Sequence, residues 1–332
     1  MLRVLQSLFN SSHPGSCAPD AAFVTLVANE SYVQGALCLR QSLARVGSAC
    51  PLVLVVADPL PAEAMSALEA GFNASHLVSL SALRQRLDRY EQRQLARRVR
   101  ADEQKQLVGR RLSVSRQLSQ AAAGAPLRNT RQLTRAGGWA RRTHQKLLLF
   151  ALRGYRKAAF LDLDMLIVRN IDAILEQPAF SAVAALPYTR TSFNSGVFVF
   201  EPSLAVASSL AALSRATDTG VGGKPAAVRI RGAMEQRGTS HLSDQSVLNH
   251  FFKGRWRPLP YGYNAGKKIY MAKRELWKQM QVGAIHFVGR PKPWDVPYNP
   301  TSPPAAQLRS RLDATPLYNK WHEQCPQVAQ TG

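Results

Sequence analysis

Along the first quarter of the chain, short apolar runs alternate with longer amphipathic stretches. Ala22–Ala28 and Pro51–Val56 are continuous and rich in β-branched residues, and His76–Leu80 is a shorter run of the same kind. All three read as buried strands. Between them, Tyr32–Val46 carries Val33, Ala36, Leu37, Leu43 and Ala44 near helical spacing. Pro61–Gly71 has Pro at its start and Gly at its end, as helices often do. This strand–helix alternation predicts a parallel sheet covered on both faces.

The pattern then changes. Leu83–Leu107 reads as a long helix rich in Arg and Gln, and Ser113–Gly138 has the Ala, Ser, Gly and Arg content of a mobile segment. Order resumes near Thr143, with Lys146–Phe150 on a helix and Ala158–Leu161 as a central strand. Phe180–Leu186 and Gly196–Phe200 read as further strands, Ser203–Ser214 and Asp244–Phe252 as helices, and Ala284–Val288 as a last strand. No internal repeat is visible. The chain divides into a flexible leader (1–20), one α/β domain (21–300) with an Arg-rich insertion at about 81–142, and a loose tail (301–332).

No run in the 332 residues approaches the roughly 18 to 20 apolar residues of a membrane span. Residues 1–19 lack the continuous apolar centre of a secretory signal. The four cysteines, Cys17, Cys38, Cys50 and Cys325, form no C-x-x-C pair and suit a reducing compartment. The expected location is cytoplasmic, with organellar targeting left open. The net charge is +22. Ser81–Lys146 alone holds 17 basic against 4 acidic residues, a surplus of 13. Such a block reads as a solvated insertion or as a surface for an anionic partner. Its two aromatics, Tyr90 and Trp139, are few for stacking single-stranded bases.

The residues with chemical potential fall in later runs. Phe160-Leu161-Asp162-Leu163-Asp164 ends an apolar stretch with two carboxylates at i and i+2. On a strand both would face one way and Leu163 the other. Ligands of open parallel sheets lie beyond the carboxyl ends of the strands, where two adjacent carboxylates call for a cation. Oxygen ligands suit Mg, Ca or Mn, and an added imidazole shifts the choice toward Mn. His286, at the end of the last apolar run, is a candidate for that imidazole or a satisfied core residue. Gly289 permits close backbone approach, and Lys292, between Pro291 and Pro293, offers a stiffly mounted ammonium to a diphosphate. Phe193-Asn194-Ser195-Gly196-Val197 sets an amide and a hydroxyl just before a strand, where they can bond sugar hydroxyls or simply form a turn. Asp244-Gln245 begins a helix, with Asp244 as its N-cap or as a carboxylate facing a sugar. Gly220–Pro225 is not a P-loop, and no G-x-G-x-x-G follows the first strand, which disfavours a nicotinamide-binding domain.

In this order and spacing, these runs resemble the family-8 glycosyltransferases, the glycogenin-like branch in particular. The matching positions extend from Phe23 to Trp294. They also include Asn29, Tyr32, Gly35-Ala36-Leu37, Lys146-Leu147, Asn170-Ile171-Asp172 and Leu248-Asn249. The resemblance implies a GT-A fold of Rossmann-like α/β type with a mainly parallel central sheet, a UDP-sugar donor, Mn, and retention of anomeric configuration. By position it implies Asp162, Asp164 and His286 as Mn ligands. Leu26, Asn29 and Tyr32 would lie at the uridine, Gly289 and Lys292 at the diphosphate, and Lys146 between phosphate and sugar. Asn194, Ser195, Asp244 and Gln245 would surround the sugar, and the backbone at Leu163 would join the donor site. Tyr270 is the position nearest the family's acceptor tyrosine. His241 stands where an acid is usual, and Arg135, Arg141 and Arg142 compete for the arginine before Lys146.

The expected function is thus retaining, Mn-dependent transfer of a hexosyl group, glucose first, to a protein tyrosine, glycan or other hydroxyl. Galactose, xylose or glucuronate transfer to a polysaccharide or polyol is the nearer rival. A catalytically inactive basic binding protein is the rival of another class. The resemblance also allows a homodimer.

Overall fold

The computed structural model describes residues 17–114, 142–186, 191–218, 243–301 and 313–326. Its centre is a seven-stranded sheet. The strands are β1 (Ala21–Val27), β2 (Leu52–Val56), β3 (Leu77–Ser79), β4 (Lys157–Leu161), β6 (Ser181–Ala184), β7 (Phe193–Phe200) and β8 (Arg257–Leu259), in the order β3-β2-β1-β4-β7-β6-β8. β1, β2, β3 and β4 pair in parallel, and β7 alone runs against its neighbours. A smaller sheet joins β5 (Met165–Ile167), β10 (Ala284–His286) and β9 (Ala265–Gly266) in that order. The architecture is α/β with a mainly parallel sheet, as the alternation predicts.

Side-chain alternation divides the core into two layers. Ala22, Val24, Val53 and Val55 face one side, and Phe23, Leu52, Leu54 and Val56 the other. Helix α1 (Val33–Arg45) buries Ala36, Leu39 and Leu43 on the second side, joined by Leu68 of α2 (Ala62–Gly71). The first side is covered by α3 (Leu80–Val114), by a 3-10 helix (Arg142–Ala151), and by α4 (Leu204–Asp218) and α5 (Asp244–Phe251). Lys146–Phe150, expected on a helix, lies in this 3-10 helix, whose consecutive Leu147, Leu148 and Leu149 are all buried.

Helix α3 is the described part of the basic insertion. Leu83 and Leu87 anchor its first turns, Arg86 donates to the Ala151 and Leu152 carbonyls, and Glu91 pairs with Arg215 at 3.1 Å. Further along, Leu95 and Val99 are exposed. Most of the Ser113–Gly138 segment, with Arg135, Arg141 and His241, falls outside the described residues.

Two expectations need correction. After the short helices α6 (Lys267–Ala272) and α7 (Arg274–Gln279), the tail beyond residue 300 includes α8 (Thr315–Gln324), whose Leu317, Tyr318 and Trp321 are buried in a third apolar cluster with Cys38, Tyr270 and Phe287. Its apolar residues fall at i, i+1 and i+4, a stripe too short to stand out in a polar, Pro-rich stretch. The cysteines are not separate thiols: Cys17 bonds Cys50, and Cys38 bonds Cys325. The second pair spans 287 positions, so its partners are neighbours only in the fold. These pairings count against the reducing-compartment reading. Among the described residues no helix is long and apolar enough to cross a membrane.

Candidate active site

The carboxyl ends of β1 and β4 open into a cleft of about 580 Å³. Asp162 and Asp164 lie at its floor, in a turn between β4 and β5 rather than on a strand. The turn is held from both sides: the Asp162 N–H donates to the Gly196 carbonyl at 2.9 Å, and the Phe287 N–H donates to that of Asp164 at 2.8 Å. Leu163 is buried in the core, so the two acids are turned together toward the cleft.

β10 delivers His286 beside them. Its Nε2 lies 3.1 Å from Asp164 Oδ1 and 3.7 Å from Asp162 Oδ2. One ligand atom from each of the three residues falls within 4.8 Å of the others. Two carboxylates and an imidazole so gathered fit a divalent cation. Gly196 makes room for the ring: a Cβ there would meet His286 Cε1 at 2.4 Å.

Two lysines balance the acids. Lys292 Nζ donates to Asp164 Oδ2 at 2.5 Å, and Lys146 Nζ lies 3.0 Å from both Asp162 Oδ1 and Asp244 Oδ2. Lys146 also sits over the Phe160 ring, 4.4 Å from its centroid. Burial alone would lower the Lys146 pKa, but Asp162 and Asp244 hold it above the ordinary value. Burial would raise Asp164, yet His286 and Lys292 outweigh it and keep this carboxyl well below the usual range. For Asp162 burial wins over the Lys146 charge, and repulsion from Asp164 adds to it, so its pKa is raised.

The opposite wall presents Asn194, Ser195, Asp244 and Gln245. Asn194 and Ser195 belong to β7 itself, which begins one residue earlier at Phe193. Ser243, not Asp244, is the N-cap of α5, its side chain accepting from the Ser246 N–H. Asp244 is thereby left in the first turn with Oδ2 bonded by the Ser195 hydroxyl at 2.8 Å. Gln245 Oε1 accepts from Asn194 Nδ2 and the Ser195 N–H, each at 3.1 Å.

Leu26, Asn29 and Tyr32 also line the cleft, as do Gly289 and the buried Lys292. Asn29 caps the 3-10 turn that carries Tyr32. Gly289 has φ of 81°, a left-handed backbone that suits glycine. The loop bearing Lys292 is fastened from behind by buried Lys267, which donates to the Pro291 carbonyl at 2.7 Å and to the Tyr318 hydroxyl of α8 at 3.1 Å. Trp294 packs edge-on against Tyr32, its ring close to Gly35 of α1.

One candidate is left out. Tyr270 is not among the residues lining the cleft; it is buried against Trp277 with the Arg274 guanidinium over its ring. Conversely, sequence reading gave no role to Asn264. This buried residue of a 3-10 turn (Tyr261–Asn264) holds both His286 and Asn194. An amide among apolar neighbours was the signal, but only the fold reveals its partners.

The model of glycosyl transferase family 8 matches residues 225–296. Human glycogenin-2 is 29% identical over 300 residues, 88% of this chain and 47% of that protein. Mouse glycogenin-1 is 28% identical over 85% of this chain and 67% of its own length. Galactinol synthase 1 of Solanum lycopersicum is 23% identical over 83% of this chain and 74% of that protein. The chain is thus similar to glycosyl transferase family 8 over part of its length and to the glycogenins over most of it. The chain spans about half the length of the first of these relatives.

Proposed function

We propose that the chain moves a hexosyl group, glucose first, from a UDP-sugar to a hydroxyl acceptor, with Mn and with retention of configuration. The observation that carries this reading is the meeting of three groups of residues in one cleft. They are the Asp162–Asp164–His286 cluster, the two lysines, and the Asn194–Ser195–Asp244–Gln245 wall.

Asp162, Asp164 and His286 would hold the cation, which when bound supplies Lewis-acid stabilisation of the departing diphosphate. The chain's own groups do the rest. Lys292, buried in the cleft lining beside Asp164, would turn its ammonium to a phosphate oxygen and offset the charge growing on UDP. Lys146 links the cation side to the sugar side through Asp162 and Asp244. Asp244, oriented by Ser195 and Lys146, is the carboxylate set to face positive charge developing on the sugar ring. It serves there as an electrostatic partner or as a covalent nucleophile. The amides of Asn194 and Gln245 bond sugar hydroxyls. The acceptor is a protein tyrosine, a glycan or another hydroxyl.

The test is UDP release from a panel of UDP-sugars, with Mn and then with EDTA. Release from one sugar that EDTA stops names the donor, and intact mass then shows whether the protein modifies itself. No release and no UDP binding would overturn the reading. A second reading, galactosyl transfer to a polyol, draws on the galactinol synthase relative; UDP-galactose in the same panel, with a polyol added, decides it.

A further inference from the structure

Lys292 is buried, yet the four residues before it, Val288 through Pro291, are exposed. A lysine on such a loop keeps one aim only if the loop is fastened. The peptide unit that joins Pro291 to Lys292 is held on both edges. Its carbonyl oxygen accepts from Lys267 Nζ at 2.7 Å, and its N–H donates to Asp295 Oδ2 at 3.0 Å. The Pro291 ring already limits φ on one side of that planar unit. Bonded on both edges, it leaves the Cα–Cβ direction of Lys292 little freedom, and that direction carries Nζ to Asp164.

Lys267 is mounted to serve as the fixed end. It opens α6 directly after Gly266, and Gly266 of β9 pairs with His286 of β10. Its side chain is 3% exposed and also donates to the Tyr318 hydroxyl at 3.1 Å. Among the described residues it makes no salt bridge. Burial, then repulsion from Lys292, lowers its pKa. A buried ammonium without a carboxylate is a costly way to hold a carbonyl that a neutral donor could hold as well. The charge suits an anion beside Lys292.

We propose that Lys267, steadied by Tyr318, is a positioning residue for the donor: it fixes the Pro291–Lys292 peptide and so aims the Lys292 ammonium at the diphosphate. This deepens the proposed function and rests on its reading of Lys292 as a diphosphate partner. It also gives α8, which adds no residue to the described cleft lining, a part in donor binding through Tyr318.

The test compares UDP with uridine, which has no phosphate, by titration of the full chain in Mn. Lys267→Met is expected to weaken UDP binding about tenfold and to leave uridine within about twofold. A merely structural role would weaken both alike or neither. In a Lys292→Met background the same change should weaken UDP by less than about twofold more, because the group it positions is gone. Tyr318→Phe, which removes one hydroxyl, should weaken UDP about two- to threefold and again spare uridine. A folded Lys267→Met with wild-type UDP affinity, or with equal losses of UDP and uridine, overturns the proposal. So does an undiminished loss in the Lys292→Met background. If Lys267→Met does not fold, Tyr318→Phe decides, and wild-type UDP affinity in that variant overturns the proposal. A wild type that binds no UDP removes the donor reading itself and this proposal with it, an outcome distinct from a variant that binds UDP as the wild type does.

Discussion

The Cβ that Gly35 lacks would lie 2.6 Å from the carbonyl oxygen of Leu163. Helix α1 thus meets the middle of the Asp162–Asp164 turn with bare backbone, and the Trp294 ring fills the space alongside, 2.8 Å from the same position. A glycine inside a helix costs roughly 1 kcal/mol relative to alanine, and the close approach is the reason to keep one here. Gly35→Ala is expected to destabilise by about 1–3 kcal/mol through overpacking and to shift the turn, weakening UDP binding. Thermal unfolding and a UDP titration check both. Unaltered UDP affinity would show that α1 does not set the turn.

Asp162→Asn and Asp164→Asn keep the shape of the turn but remove charge from the cation cluster. Mn-dependent UDP release should fall by about 100-fold or more while the circular dichroism spectrum is retained. Retained turnover in either variant would remove that aspartate from the cation site.

Lys146→Met removes the one ammonium shared by Asp162 and Asp244. The expected loss is in kcat, about 100-fold, with a smaller change in KM, because the charge it balances grows along the reaction. A variant that changes KM alone would make Lys146 a donor-binding group only.

Cys38 and Cys325 join α1 to α8. Cys325→Ser, or reduction of the wild type, should lower stability by about 2–5 kcal/mol. Intact mass after alkylation in denaturant without reductant counts the free thiols: no cysteine should take label. Four labelled cysteines in protein kept oxidising until it is unfolded would refute both pairings.

Tyr270 is buried away from the cleft lining. Tyr270→Phe should therefore leave UDP release within about twofold, as for a change that touches no reacting group. If intact-mass increments on the wild type vanished in this variant, Tyr270 would be an acceptor reached by opening of the fold or from a second copy.

The parallel half of the sheet was legible because β1, β2 and β3 are short apolar runs separated by helical periodicity. The candidate site was legible as well, since Asp162, Asp164, Lys146, His286 and Lys292 stand in runs with a recognisable order. What escaped were relationships with no local pattern. The Cys38–Cys325 pair joins residues 287 positions apart. Helix α8 has too few apolar positions to announce its burial. Asn264 gains meaning only when β10 and β7 bring His286 and Asn194 to it. Asp162 and Asp164 share a side because their turn is clamped by Gly196 and Phe287, where strand alternation was the expected cause.

The brace behind the Lys292 loop has a consequence for how the protein is made. Lys267 holds the Pro291 carbonyl and Tyr318 bonds Lys267, so α8 lies directly behind the lining of the cleft. A nascent chain still lacking Tyr318 and Trp321 can form β1 through β4 but not this brace. Competence to hold a diphosphate should therefore await the release of α8 from the ribosome, after the sheet that frames the cleft has emerged.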